Sequence, residues 1–148
     1  MKKLLIYILI IIVLILSFCI GYILGKNTNI SAIDNYEHPI DIEEKLCIQN
    51  SDIHNYTFCS EIAIKSWEKE IQKNLDLLKQ VMKKEDYKYI EEMNNEWNKS
   101  AYSQINTINR FIVNKNGVIY QTEGKNNISN IKKQYAILLK NIYSTYTD

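Results

Sequence analysis

Hydrophobic and polar positions divide the chain into three regimes. Residues 4–25 form an apolar run relieved only by Tyr7, Ser17, Gly21 and Tyr22, directly after Met1-Lys2-Lys3. Residues 27–56 show no sustained period, and Asn27-Thr28-Asn29, Asp34-Asn35 and His38-Pro39 read as turn-forming pairs. From Thr57 the period becomes helical. Cys59, Ala63, Trp67, Ile71, Leu75, Leu78 and Met82 recur at three- and four-residue steps, with Glu61, Lys65, Lys69, Lys73 and Lys79 between them. Thr57 is the expected N-cap of that helix. After the polar break Lys83-Lys84-Glu85-Asp86, a second stripe runs through Tyr87, Ile90, Met93, Trp97, Ala101, Ile105, Ile108 and Ile112. Asp86 is its expected cap and Asn114-Lys115-Asn116-Gly117 its terminator. Residues 117–127 read as a loop. A third stripe, from about Ser129, uses Ile131, Tyr135, Leu138, Leu139, Ile142 and Tyr146.

The fold class predicted is all-α: a three-helix bundle made of an antiparallel hairpin plus a C-terminal helix, behind an N-terminal transmembrane helix. The divisions are 1–26 (anchor or signal), 27–56 (polar spacer) and 57–148 (helical domain). So short a break between the first two helices makes them neighbours, with Trp67 and Trp97 near one level of the core. A short helix over 41–49 fits Ile42, Leu46 and Cys47 on one face.

Length and flanking charge decide the reading of the apolar run. Its 22 residues would extend about 33 Å as a helix, against a hydrocarbon core of about 30 Å. A cleavable signal has a shorter apolar region and small residues at the cut, which Gly21-Tyr22-Ile23-Leu24-Gly25-Lys26 does not supply. Leu16-Ser17-Phe18-Cys19 imitates a lipobox, but Phe18 is not small. Lys2 and Lys3 precede the run, so the N-terminus stays in the cytoplasm and the rest is exported. Abundant Asn, Ile, Lys and Tyr suggest an AT-rich bacterial genome, so the expected location is a bacterial inner membrane, single-pass, with the domain periplasmic or extracellular. The alternative is secretion after signal cleavage.

Export gives the cysteines a meaning. Cys19 falls in the apolar run, leaving Cys47 and Cys59 to form a disulfide in an oxidising compartment, or else to remain as two free thiols. Eighteen basic against 17 acidic residues give a net +1, so no basic field favours a nucleic acid. That balance hides an asymmetry: residues 26–96 hold nine Lys against fifteen acids, and 97–148 hold seven basic against two acidic residues. Either the halves attract each other within the fold, or the acidic half faces a cationic partner.

Candidate chemistry is sparse. Two His and three Cys offer no zinc spacing, and no cofactor motif is present. Ser51, Asp52 and His54 could be drawn as a triad, but they cluster in a polar segment with no nucleophile elbow. Glu91, Glu92 and Glu96 share their surface with Lys84 and Lys88 and read as ion pairs rather than paired catalytic carboxylates. No catalytic residue is expected. Sequons occur at Asn29, Asn55, Asn98 and Asn127. Val118-Ile119-Tyr120, an apolar triplet after Gly117, is the candidate partner-binding loop; its alternative role is to fold back and cap the bundle.

One resemblance bears on function. From Cys47 to Tyr143 the chain carries Cys47, Cys59 opening a helix, acidic Glu68, the pair Ile71-Gln72, then Ile90, Asn94 and Trp97 at Leu-x-x-x-Gln-x-x-Trp spacing. Gly117 follows in a loop, and Lys132 or Lys133 stands before Leu138. This order resembles the lysozyme inhibitor LprI-like domain family of bacterial envelope proteins. Gln72 and Asn94 exchange the family's amides, Leu75 replaces a usual aromatic, Ala101 stands where Arg is common, and a third Cys near Ile105 is missing. The resemblance implies a helical domain that binds protein, with a lysozyme-type muramidase as the possible partner. A structural role in envelope assembly is the other expectation.

Overall fold

A computed structural model describes residues 37–148, and the apolar run at 4–25 lies outside the described residues. Among the described residues every element is helical. Helix α1 spans Pro39–Gln49 and is followed by a single tight turn at Ile53–Asn55. Helix α2 spans Tyr56–Val81, α3 Lys84–Ile108 and α4 Val118–Thr147. No helix among these residues is long and apolar enough to cross a membrane.

The all-α bundle is therefore present, and its core draws on all three stripes. Leu138 and Tyr146, expected on the buried stripe of the last helix, are exposed: α4 turns Leu138 away from α2 and α3, and Tyr146 lies in its last turn. Trp67, Ile71, Leu75 and Leu78 of α2, Ile90 of α3, and Tyr135, Ala136 and Leu139 of α4 form one buried cluster. Trp67, Leu78 and Leu139 have no exposed surface. The amphipathic period accounts for this directly, because positions three and four apart lie on one helix face.

The pairing inside the bundle is less local. Helices α2 and α4 share the most extensive interface and run parallel. Thr57 meets Thr122, Ser60 meets Asn126, Asn74 donates to the Ala136 carbonyl at 3.1 Å, and Lys83 N meets Tyr146, partners always 62 to 66 residues apart. Asn74 is itself buried, and that bond satisfies its amide. Helix α3 returns antiparallel and touches both neighbours along a narrow stripe, burying only Ile90 and Ala101. Both indoles nonetheless sit at one height: Lys132 and Lys133, adjacent on α4, lie over Trp97 and Trp67 at 6.0 and 5.9 Å.

Four expected boundaries shift. Residues 39–49, within the expected spacer, are helix α1, started by Pro39 and capped by His38, whose Nδ1 accepts from Ile40 N at 3.3 Å. α2 is preceded by Asn55 rather than capped by Thr57, whose hydroxyl instead pairs with Thr122. α3 begins at Lys84, placing Asp86 in its first turn, and ends in a π-helical turn over Asn109–Val113, where Asn114 N donates to Asn109 O at 3.1 Å. α4 starts at 118 rather than 129. Gly124, Asn126 and Asn127 are weak helix formers, so the segment reads as loop. Packing overrides propensity there, because Gly124 is buried against the π-turn and Asn126 is held by Ser60. Gly117 turns the chain into α4 at φ 115°, a conformation that suits glycine.

Cys47 and Cys59 form a disulfide with Cα atoms 5.7 Å apart, joining the end of α1 to the start of α2. Closing a loop of that size contributes roughly 3 kcal/mol in the chain-entropy account.

Candidate functional site

Three places gather functional-type side chains, and the charge asymmetry passes through two of them. Lys125 pairs with Glu61 at 3.2 Å, Lys132 with Glu68 at 3.0 Å and Lys133 with Asp41 at 2.7 Å. Three cations of the basic half thus neutralise three acids of the acidic half within the fold. Glu61 and Glu68 are seven apart, as are Lys125 and Lys132, which is why parallel helices can match them in register. The acids left facing solvent include Glu85, Glu91 and Glu92 on α3, where Lys88 pairs with Glu92 at 3.8 Å.

The first place contains three of the four family-pattern positions. Trp97 stacks on Tyr135 with ring centres 4.0 Å apart, Tyr135 donates its hydroxyl proton to Asn94 Oδ1 at 3.1 Å, and Lys132 bridges Trp97 to Glu68. Burial, reinforced by Tyr87, pushes the Tyr135 phenol up to about 12, so it stays a neutral donor. Glu68, Asn94 and Trp97 are brought together; Gln72 is not, and hydrogen-bonds exposed to Asp76 at 2.9 Å. The cluster ties α3 to α2 and α4.

The second place is a polar cleft of about 270 Å³ between α1 and α4, lined among others by Asp41, Glu44, Lys45, Asn126 and Lys133. Glu44 Oε1 is buried there with no hydrogen-bond partner. Burial raises the Glu44 pKa, with Asp41 adding to the shift and Ser60 and Lys133 opposing it. The His38 ring packs against Trp67 with centres 4.5 Å apart and a tilt of 40°, and burial lowers its pKa.

The signs of these two groups are opposite. Glu44 binds its proton more tightly folded than unfolded, so its contribution is full below pH 4.5 and lost as pH rises through its raised value. His38 contributes above pH 6.5 and loses that contribution as pH falls through its lowered value. Glu44→Gln should therefore raise the melting temperature at pH 7.5, the gain shrinking to nothing toward pH 4. Paired thermal melts across that range check it, and a variant no more stable than the native chain at pH 7.5 would refute it.

The third place is an apolar groove of about 390 Å³ lined by residues including Ile53, Tyr56, Val118, Ile119, Thr122 and Asn126. Val118, Ile119 and Tyr120 are not a loop; they form the first turn of α4. They do not fold back over the bundle either, since Ile119 is 70 % exposed and Tyr120 46 %. Ile53 (48 % exposed) and Tyr56 belong to the same groove and carried no signal in the sequence beyond being apolar.

The remaining candidates do not converge on these places. His54 is exposed on the tight turn before α2, and the Ser51 hydroxyl lies 3.7 Å from Cys59 Sγ. Glu96 pairs with Lys99 at 2.8 Å. Asn55 and Asn98 are exposed, whereas Asn127 is partly buried beside buried Ser129. Among the described residues, no group of three or more His, Cys, Asp or Glu is placed to hold a metal ion. Compared with family models, curated proteins and solved structures, the chain gives no match.

Proposed function

We propose that this chain is a membrane-anchored, extracytoplasmic protein-binding domain, with a lysozyme-type muramidase as its candidate partner. The apolar run at 4–25 supplies the anchor in this reading, and the resemblance supplies the partner class. The observation that carries the reading is the open apolar groove, with Ile119 standing out of its rim at 70 % exposure. A desolvated apolar anchor of this kind is what seats one protein on another, and charge then governs the encounter rate. Lysozymes of animal hosts are basic, and exposed Glu85 and Glu91 on α3 supply acidic groups to attract them. An exported disulfide accords with the same compartment.

The test uses the full chain in lipid nanodiscs, with lysozyme hydrolysing peptidoglycan. Hydrolysis should slow, less so at high salt, and Ile119→Asp should weaken the effect at least about tenfold, the loss of one hot-spot contact. Ile119 is exposed, so that variant should melt as the native chain does. No slowing at stoichiometric excess would remove the muramidase.

The second reading is a structural or assembly component of the cell envelope with no inhibitory activity, and the same groove favours it equally. Crosslinking in cells, read by mass spectrometry, would then recover an envelope protein, through a contact that Ile119→Asp abolishes.

A further inference from the structure

Helix α1 is attached to the bundle differently from the other three. None of its residues is buried, whereas every buried member of the core cluster comes from α2, α3 and α4. Only Ile40 reaches the margin of that cluster. Ile42 and Leu46, one turn apart, face solvent at 43 % and 50 % exposure, so α1 does not lay a full apolar stripe on its neighbours. At 11 residues it is also shorter than the roughly 12–15 at which an isolated helix becomes even marginal.

It packs along the start of α2 through Ile40 and half-buried Ile48, and is held further by the Cys47–Cys59 bond, the Asp41–Lys133 pair and His38 against Trp67. Against these stands Glu44, whose Oε1 is buried by docking and finds no partner. The covalent bond is the one link among these that thermal motion does not break.

We propose that α1 is a redox-released latch: reducing Cys47–Cys59 frees α1 from the α2–α4 seam and uncovers Trp67, while α2, α3 and α4 stay packed. The reductant is a dithiol. Its thiolate attacks Cys47, the more accessible of the two, forming a mixed disulfide and expelling Cys59 as thiolate, which takes up a proton. The reductant's second thiolate then displaces Cys47, which is protonated in turn. Two electrons and two protons have entered the protein, and the dithiol leaves as a disulfide. The Ser51 hydroxyl, 3.7 Å from Cys59 Sγ, is placed to donate to the leaving thiolate.

Release has a defined consequence. Trp67 loses the His38 ring 4.5 Å from it, and the cleft that α1 forms with Asn126, Ser129 and Lys133 opens to water. The Asp41 partner of Lys133 departs with α1, leaving that ammonium beside the indole it already approaches at 5.9 Å. The other members of the core cluster stay buried among α2, α3 and α4.

The experiment uses the full chain in detergent micelles carrying Trp97→Phe, so that Trp67 is the sole tryptophan. Acrylamide quenching of Trp67 is measured before and after dithiothreitol, with alkylation to verify two free thiols and far-UV circular dichroism to follow helix content. Local release raises the quenching constant at least about twofold while the ellipticity falls by no more than the share of α1. Hydrogen exchange on the native indole background, with Cys47→Ser and Cys59→Ser combined, then shows faster exchange confined to residues 38–52. Unchanged quenching with both thiols free overturns the latch, and so does cooperative loss of all helices on reduction.

Discussion

Trp67→Ala is expected to cost about 3–5 kcal/mol of unfolding free energy, the range for emptying a fully enclosed aromatic site. The indole has no exposed surface and stands at the junction of all the helices: in the core cluster with residues of α2, α3 and α4, under the His38 ring, and beneath the Lys133 ammonium. Its removal leaves a void that the disulfide-tethered α1 cannot follow inward. Against a typical stability of about 5–15 kcal/mol, a loss of that size takes a large part of the folded margin. Trp67→Phe should cost clearly less, because Trp67 Nε1 is a buried donor with no partner and phenylalanine removes that donor while keeping most of the ring. Denaturant titrations of both variants check the order. An alanine variant within 1 kcal/mol (about one-third of the lower bound) of the native chain would show that Trp67 is not the keystone.

Gly124→Val is expected to destabilise by about 1–3 kcal/mol, with a local rather than a global signature. A Cβ at position 124 would overlap Val113 Cγ2 and lie 3.2 Å from the Val113 backbone nitrogen. Neither neighbour can give easily: one is a stiff β-branched side chain, the other is main chain held in the π-turn. Helix propensity alone predicts the opposite sign, since replacing a mid-helix glycine ordinarily gains up to about 1 kcal/mol. The competition between these two effects decides the outcome. Val113→Ala removes the closest atom, so the double variant should recover part of the loss, and a double-mutant cycle measures the coupling. Additivity of the two substitutions would mean that α4 and the π-turn do not press on each other at this glycine.

The candidate site is partly legible in the sequence. Val118, Ile119 and Tyr120 stand out in the sequence as an apolar triplet after Gly117, and Val118 and Ile119 do line the groove. The sequence predicts a loop there, because Gly124, Asn126 and Asn127 carry the local signature of one, whereas the segment is the start of α4. Ile53 and Tyr56 gave no warning. They reach the groove only because α2 and α4 begin side by side, with Thr57 against Thr122 at 3.2 Å. Likewise Glu68, Asn94 and Trp97 could be picked out by their order along the chain, yet nothing in that order says that Lys132 and Tyr135 join them.

By itself the amino-acid sequence determined the helical class, the three apolar stripes and the two cysteines suited to a bond. Each of these is written in residues a few positions apart, where the 3.6-residue period and simple counting suffice. The tertiary structure decided that α2 and α4 run parallel as the principal pair, that 39–49 folds onto them, and that the charged halves cancel internally at Asp41, Glu61 and Glu68. Such matches join residues more than sixty positions apart, and many registers satisfy the same stripes. Burial of Trp67, the fit of Gly124 against Val113 and the three ion pairs together single one of them out.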